Sequence, residues 1–322
     1  MQNPRVCGGA LHGFLRRARS NTFASAARPA FNIPAGARLE EREKSLLQEF
    51  CRDGGVVALT GAGLSTESGI PDYRSPDGSY SKGHKPILHQ QFVEDSWLRK
   101  RYWARSIVGY AWFDAAQPNS GHYALTTLTR KGFVDNIITQ NVDGLHYKAG
   151  YRNAIELHGA NRDVECLSCG FVEPRPAFQD RIERCNKTWI ERYLPTDFDS
   201  SSIRADGDSH LENVDFADFD IPGCLRCTNG MMKPTVIFFG GSLKPAMKDA
   251  STEAVKKAKK MLVVGTSTQV FSVYRLCLLA KERDIPIGII NIGESRCESF
   301  AQFKVQAQAG RVLQELAQRL GC

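Results

Sequence analysis

Short apolar runs punctuate this chain, and each ends in glycine, hydroxyl, amide or imidazole residues. They are Val56–Thr60, Asn136–Thr139, Ala154–Leu157, Thr235–Phe239, Met261–Val264 and Pro286–Asn291. A run without polar alternation suits a strand buried on both faces, which is the habit of a parallel sheet covered by helices. Helical stretches separate most of these runs, and Glu40–Phe50, with charged and apolar residues at helical intervals, predicts a surface helix leading into the first strand. The pattern therefore predicts an α/β fold with a doubly wound, Rossmann-like parallel sheet. In such sheets ligands bind beyond the carboxyl ends of the strands. The residues at those ends are Gly61-Ala62-Gly63, Thr139-Gln140-Asn141, His158-Gly159, Gly240-Gly241, Gly265-Thr266-Ser267 and Asn291-Ile292-Gly293. Small and hydrogen-bonding groups of this kind suit a nucleotide pocket.

Two segments break the alternation. Residues 75–120 hold Tyr80, Trp97, Tyr102, Trp103, Tyr110, Trp112 and Phe113 and predict a helical insertion. Residues 161–234 are bounded by cysteine pairs and predict a small metal-binding module, with an acidic, solvated loop over 195–222. No internal repeat is visible.

Charge changes the picture only at the amino end. The net charge of the 322 residues is +7, but residues 1–39 contain six arginines and no acidic residue, so the rest is close to neutral. That leaves no basic footprint for nucleic acid. An Arg-rich, acid-free leader with Ser20, Ser25, Leu11, Phe14, Leu15 and Phe23 has the composition of a mitochondrial transit peptide, cleaved before Glu40, which places the mature residues 40–322 in the matrix. A basic tail without an address is the other reading of it. No apolar run approaches the length of a membrane span.

Ten cysteines in a reducing compartment point to metal sites sooner than to disulfides. Cys166 and Cys169 form one Cys-x-x-Cys knuckle, and Cys224 and Cys227 form a second. Four thiolates close a tetrahedron around Zn2+ and leave no open position, so one structural zinc is expected. A redox dithiol is the competing reading, and Cys185 lies between the pairs as a substitute ligand. Gly61-Ala62-Gly63-Leu64-Ser65 follows a strand and precedes helix-starting residues, an arrangement that lets backbone approach a pyrophosphate. An ordinary strand-to-helix turn would have the same look. Gly69-Ile70-Pro71-Asp72-Tyr73-Arg74 reads as a loop that orders over a ligand, with Arg74 reaching phosphate or ribose. His158 follows a strand and can take a proton near neutral pH. By itself, a satisfied structural histidine would look the same.

Taken in order, these blocks, with Thr139-Gln140-Asn141-Val142-Asp143-Gly144-Leu145-His146 and Lys233-Pro234 followed by Phe238-Phe239-Gly240, resemble the sirtuin family of NAD-dependent protein deacylases. The likeness spans about residues 40–322. Arg101-Tyr102-Trp103-Ala104-Arg105, Gln117-Pro118-Asn119 and the basic leader are similar to the mitochondrial class II branch, nearest its sirtuin four members. The resemblance implies that an acyl-lysine oxygen attacks C1′ of the nicotinamide ribose, nicotinamide leaves, and water releases lysine and O-acyl-ADP-ribose. It also implies that ADP-ribosyl transfer to protein and lipoamidase-type activity are within reach, with acyl-lysine proteins, mitochondrial metabolic enzymes among them, as partners. His158 becomes the general base. Gly61, Ala62, Gly63, Ser65, Thr66, Asp72, Tyr73, Arg74, Gln140, Asn141, Val142, Asp143, Gly265, Thr266, Ser267, Asn291, Ile292, Gly293 and Ala309 become the NAD contacts. Tyr102 and Arg105 match a Tyr-x-x-Arg pair with which succinyl-preferring relatives hold a distal carboxylate, branched dicarboxylic or lipoyl chains being the other acyl groups the resemblance allows in this branch and packing on a helix surface the other reading of the pair. The sequence departs from the family pattern at Gly241, where an acid is usual, and at Thr268-Gln269. A catalytically weak NAD-binding regulatory module is the alternative, and product identity separates the two.

Overall fold

The computed structural model describes residues 39–76, 78–81, 83–194, 209, 211 and 213–322. Residues 1–38 of the expected leader thus lie outside the described residues, and Leu39 is buried in the core. Helix α1 (Glu41–Arg52) precedes strand β1 (Val56–Thr60) and the single turn α2 (Ala62–Ser65). Then come α3 (His89–Glu94), α4 (Ser96–Ala115), α5 (Ser120–Arg130), β2 (Val134–Thr139), α6 (Leu145–Lys148) and β3 (Ile155–Glu156). The middle of the chain supplies β4 (Asp163–Cys166), β5 (Val172–Pro174), α7 (Arg175–Cys185), α8 (Lys187–Tyr193) and β6 (Met232–Pro234). The last third is α9 (Pro245–Lys257), β7 (Lys260–Val264), α10 (Phe271–Glu282), β8 (Ile287–Ile290), β9 (Phe303–Val305) and α11 (Ala309–Arg319).

The main sheet has the order β3-β2-β1-β7-β8-β9, and every pairing is parallel. Its centre is β1, whose five residues are all buried. Pleating sends Val56 and Ala58 into a core with Leu47, Phe50, Leu125 and Leu313. Val57 and Leu59 enter a second core with Val255, Val273 and Leu276. Each such aliphatic side chain contributes about 1.5–3 kcal/mol by leaving water, so a strand feeding both faces is apolar throughout. From β1 the chain first builds outward to β3, then returns to the other flank at β7. The switch point between β1 and β7 opens the crevice at the carboxyl ends.

Thr235–Phe239 does not join this sheet as expected. The strand there is β6, one step earlier, and it pairs antiparallel with β4 in a second, three-stranded sheet ordered β5-β4-β6. Beyond Pro234 the backbone follows the turn after β3: Thr235 N–H donates to Asp163 O at 2.9 Å and Ile237 N–H to His158 O at 2.8 Å. The apolar side chains of this stretch serve a cleft wall and a second lobe. In that lobe Trp103 and Ile107 of α4 pack with Phe178, Trp189, Val164 and Met232, so residues that the sequence assigned to two separate interruptions share one aromatic core. Strand β9 has no counterpart among the expected elements, being only three residues long with Lys304 at its middle.

Candidate active site

A cleft of about 580 Å³ opens at the carboxyl ends of the main sheet, between it and the second lobe. Its wall holds Ala62, Gly63 and Thr66 after β1, Gln140 and Val142 after β2, and His158 after β3. Gly265, Thr266 and Ser267 follow β7, Asn291, Ile292 and Gly293 follow β8, and Ala309 opens α11. Asp72, Tyr73 and Arg74 close one side. The glycines at β1 and β7 permit close packing of the two turns. Gly63 N–H donates to Gly265 O at 2.8 Å, and a Cβ on Gly265, whose φ is +60°, would stand 2.4 Å from the Leu64 nitrogen.

Gly61, Ser65, Asn141 and Asp143 stand one layer behind that wall. The Asn141 amide donates to Gly61 O at 3.0 Å and to Ser65 Oγ at 3.1 Å. Ser65 Oγ in turn donates to Asp143 Oδ2 at 2.7 Å, and Leu145 N–H donates to Asp143 Oδ1 at 2.9 Å. This chain of bonds ties the glycine turn to the loop after β2. Burial pushes the Asp143 carboxyl above its ordinary range, with the Ser65 and Leu145 bonds acting the other way. From a third direction Asn119, the N-cap of α5, donates to Leu64 O at 2.7 Å and to Ser68 Oγ at 3.0 Å.

His158 is placed by the turn after β3. Gly159 has φ +76°, and a Cβ there would lie 2.1 Å from Thr235 O, so the turn needs glycine. The imidazole Nδ1 is 3.1 Å from Gln140 O, and Nε2 is 2.8 Å from Ser272 Oγ. A carbonyl can only accept, so Nδ1 carries the proton and Nε2 presents its lone pair. Burial pushes this histidine below its ordinary value, and the Gln140 bond offsets part of that. A neutral ring with a free basic nitrogen at a cleft wall is equipped for general-base work. Ser272 was not foreseen from the sequence, although a hydroxyl in the first turn of a helix that follows a strand's carboxyl end is a readable sign.

Asp72 shapes its loop by accepting from Arg74 N–H at 3.0 Å and Ser75 N–H at 2.9 Å. Arg74 stacks over the Tyr80 ring at 5.3 Å. Tyr102 reaches the cleft wall and packs edge-on against Phe238 at 5.1 Å. Its expected partner Arg105 does not. Arg105 is buried, its Nε donates to Ser209 O, and Ser209 Oγ donates back to Arg105 O at 2.9 Å.

The four cysteines meet at the end of the second lobe, with their sulfurs all within 4.8 Å of one another. Cys166 Sγ is 3.6 Å from Cys227 Sγ, and Cys169 Sγ is 3.6 Å from Cys224 Sγ. Zn–S bonds of about 2.3 Å in a tetrahedron require sulfurs roughly 3.8 Å apart, so the set fits zinc. All four thiols are free, and a Cβ on Gly230 would stand 2.2 Å from Cys166 Sγ, so the chain has left room around them. Cys185, at the end of α7, is exposed and outside this cluster.

A model described as Sir2 family matches residues 61–272, which takes in the glycine turn, His158, both knuckles and Ser272. The chain belongs to the Sir2 family. As a member it is an NAD-dependent protein deacylase with a structural zinc site. It is 41% identical over 284 residues to the mitochondrial NAD-dependent protein lipoamidase sirtuin-4 of Bos taurus, covering 87% of this chain and 88% of that protein. An NAD-dependent protein deacylase of Drosophila melanogaster is 40% identical over 307 residues, with 94% and 96% covered. Among solved structures, a Sir2 homologue in complex with NAD superposes with a TM-score of 0.65 at 28% identity, covering 90% of this chain and 96% of that one.

Proposed function

We propose that this sirtuin removes uncharged, extended acyl groups from protein lysines, with His158 as the base that acts on the nicotinamide ribose. The observation that carries the reading is the neutral His158, its Nε2 turned to the cleft and its Nδ1 fixed by the Gln140 carbonyl. NAD supplies the electrophilic ribose carbon once nicotinamide departs. His158 takes a hydroxyl proton at Nε2, the nitrogen left with a lone pair because the Gln140 carbonyl holds the ring proton at Nδ1, and burial favours the neutral ring. Gly63 and Gly265 keep side chains off the strand ends, where the turn amides suit a pyrophosphate. Arg74 stands at the same wall as a cation for it. Asn141, Asp143 and Ser65 hold the two glycine-bearing loops in register, so we assign them a supporting place around the nicotinamide ribose.

The acyl group enters beside Tyr80, Ile87, Tyr102, Val236 and Phe238, an aromatic and aliphatic branch of the cleft. With the Arg105 guanidinium bonded to Ser209, that branch suits a long neutral chain, lipoyl among them, better than a terminal carboxylate. Residues 1–39 serve in our reading as a mitochondrial transit peptide, residues 40–322 as the catalytic domain acting on acylated matrix proteins. Two relatives bear the word mitochondrial in their names. No helix among the described residues is long and apolar enough to cross a membrane.

The test is a product assay with NAD and lipoyl-, acetyl- and succinyl-lysine peptides. Free nicotinamide should appear in equal amount with deacylated lysine, and kcat/KM for the lipoyl peptide should exceed that for the succinyl peptide by about 10-fold or more, the scale of one poorly matched group in a pocket. A preference for succinyl-lysine would refute the acyl assignment. Formation of NADH without nicotinamide would refute the reaction.

A further inference from the structure

Ser272 occupies the second position of α10, and its hydroxyl lies 2.8 Å from His158 Nε2. Both residues face the cleft. Since Gln140 O accepts from Nδ1–H at 3.1 Å, Nε2 is the unprotonated nitrogen and the serine hydroxyl is the donor in the 2.8 Å contact. The ring is therefore held at both ends, by a carbonyl that can only accept and a hydroxyl that now donates. A ring flip would break both bonds, and a change of tautomer would break the bond to Gln140 O. The amino end of α10 beside the ring also disfavours an imidazolium, acting with burial to keep the ring neutral.

We infer that Ser272 is a positioning residue for His158, fixing the imidazole plane and aiming Nε2 into the cleft before the cofactor arrives. The inference rests on the reading of His158 as the base. Nε2 has one lone pair, so an incoming ribose hydroxyl replaces the serine hydroxyl there, one hydrogen bond being exchanged for another at little net cost. A hydroxyl both donates and accepts. Ser272 can thus donate to neutral Nε2 and, once the proton has arrived from the ribose hydroxyl, rotate to accept from Nε2–H. The base never has to search for its orientation, and it is preorganised in the sense that lowers barriers.

The experiment compares Ser272→Thr with Ser272→Val, a pair of equal shape that differ in the hydroxyl alone, and adds His158→Ala as a control. Steady-state kinetics are measured with NAD and an acyl-lysine peptide, and the imidazole nitrogens of the full chain without NAD are observed by long-range proton–nitrogen NMR. Ser272→Val should lose about 10- to 100-fold in kcat/KM and Ser272→Thr should stay within about 3-fold of the parent, as expected for misorientation of a reacting group and its repair. The parent and Ser272→Thr should show a single tautomer protonated at Nδ1 with Nε2 hydrogen-bonded, and Ser272→Val should keep the Nδ1–H tautomer held by Gln140 O but lose the hydrogen-bond shift at Nε2. Equal activity of the Thr and Val variants, or unchanged imidazole signals in Ser272→Val, would overturn the role of Ser272. Should Ser272→Val not fold, Ser272→Ala carries the same comparison. If His158→Ala turns over like the parent, the base assignment itself falls; if it is inactive while Ser272→Val is not impaired, only the inference about Ser272 falls.

Discussion

At the scale of single residues, the site depends on a few positions where a side chain must be absent or must hold one protonation state. Gly159 is the sharpest. Its φ of +76° and the 2.1 Å that would separate a Cβ from Thr235 O leave no accommodation short of moving the backbone next to His158. Gly159→Ala should cost at least about 2 kcal/mol from the left-handed conformation and the contact together, and should lower kcat as well. A thermal melt and a kinetic assay check this, and a variant with parental values in both would contradict the placement. His158, Gln140 and the glycine turns were legible in the sequence because strand ends, glycines and a titratable ring are local signals. The contact of Ser272 with His158 and the withdrawal of Arg105 were not, since both depend on partners more than 100 positions away in the chain.

At the scale of elements, the runs that feed both faces of the sheet were readable: β1, β7 and β8 occupy positions close to those the apolar pattern marks. Thr235–Phe239 carries the same pattern for another reason, because its side chains line a cleft and fill the aromatic lobe without joining a ladder. Periodicity reports burial and cannot say against what. The metal module offers a direct test. Gly230→Ala would push a methyl to within 2.2 Å of Cys166 Sγ and 2.6 Å of Cys227 Sγ. We expect the variant to lose zinc, measured by elemental analysis, and to expose the Trp189 and Phe219 core of the lobe, seen as a changed near-ultraviolet circular dichroism spectrum. Chelation of the parent should give the same spectrum, because binding and folding free energies are linked at such a site. Stoichiometric zinc with parental spectra would show that the sulfurs do not form the proposed cage.

At the scale of the whole molecule, two lobes meet over the cleft, and the histidines beneath it set the response to acid. His146 is buried, with Nε2 3.1 Å from Thr60 Oγ1, and burial lowers its pKa from 6.5 to about 4. His122, 5.0 Å away ring to ring, is lowered as well, by burial first and by His146 second. Both values are depressed on folding, so the unfolded chain binds protons first as pH falls. Stability should therefore be level above about pH 7 and decline below 6.5. At pH 5.5 His146 alone should cost roughly 1.4 kcal/mol, one pKa unit of differential protonation. Melting temperatures across this range check the slope, and a flat profile down to pH 5 would contradict it. The α/β class and the position of the cleft followed from the pattern of runs. The union of the aromatic insertion with the cysteine module into one lobe did not, because nothing local records which of two apolar surfaces will meet.

In the proposed reaction His158 is the base, and His158→Ala is the measurement that tests this most directly, provided that cofactor affinity is measured by calorimetry beside turnover. NAD binding should stay near that of the parent while deacylation falls by about 100- to 10,000-fold, the contribution of a positioned general base. Turnover at the parental rate in the variant would show that the imidazole at the end of β3 is part of the scaffold and takes no proton in the reaction.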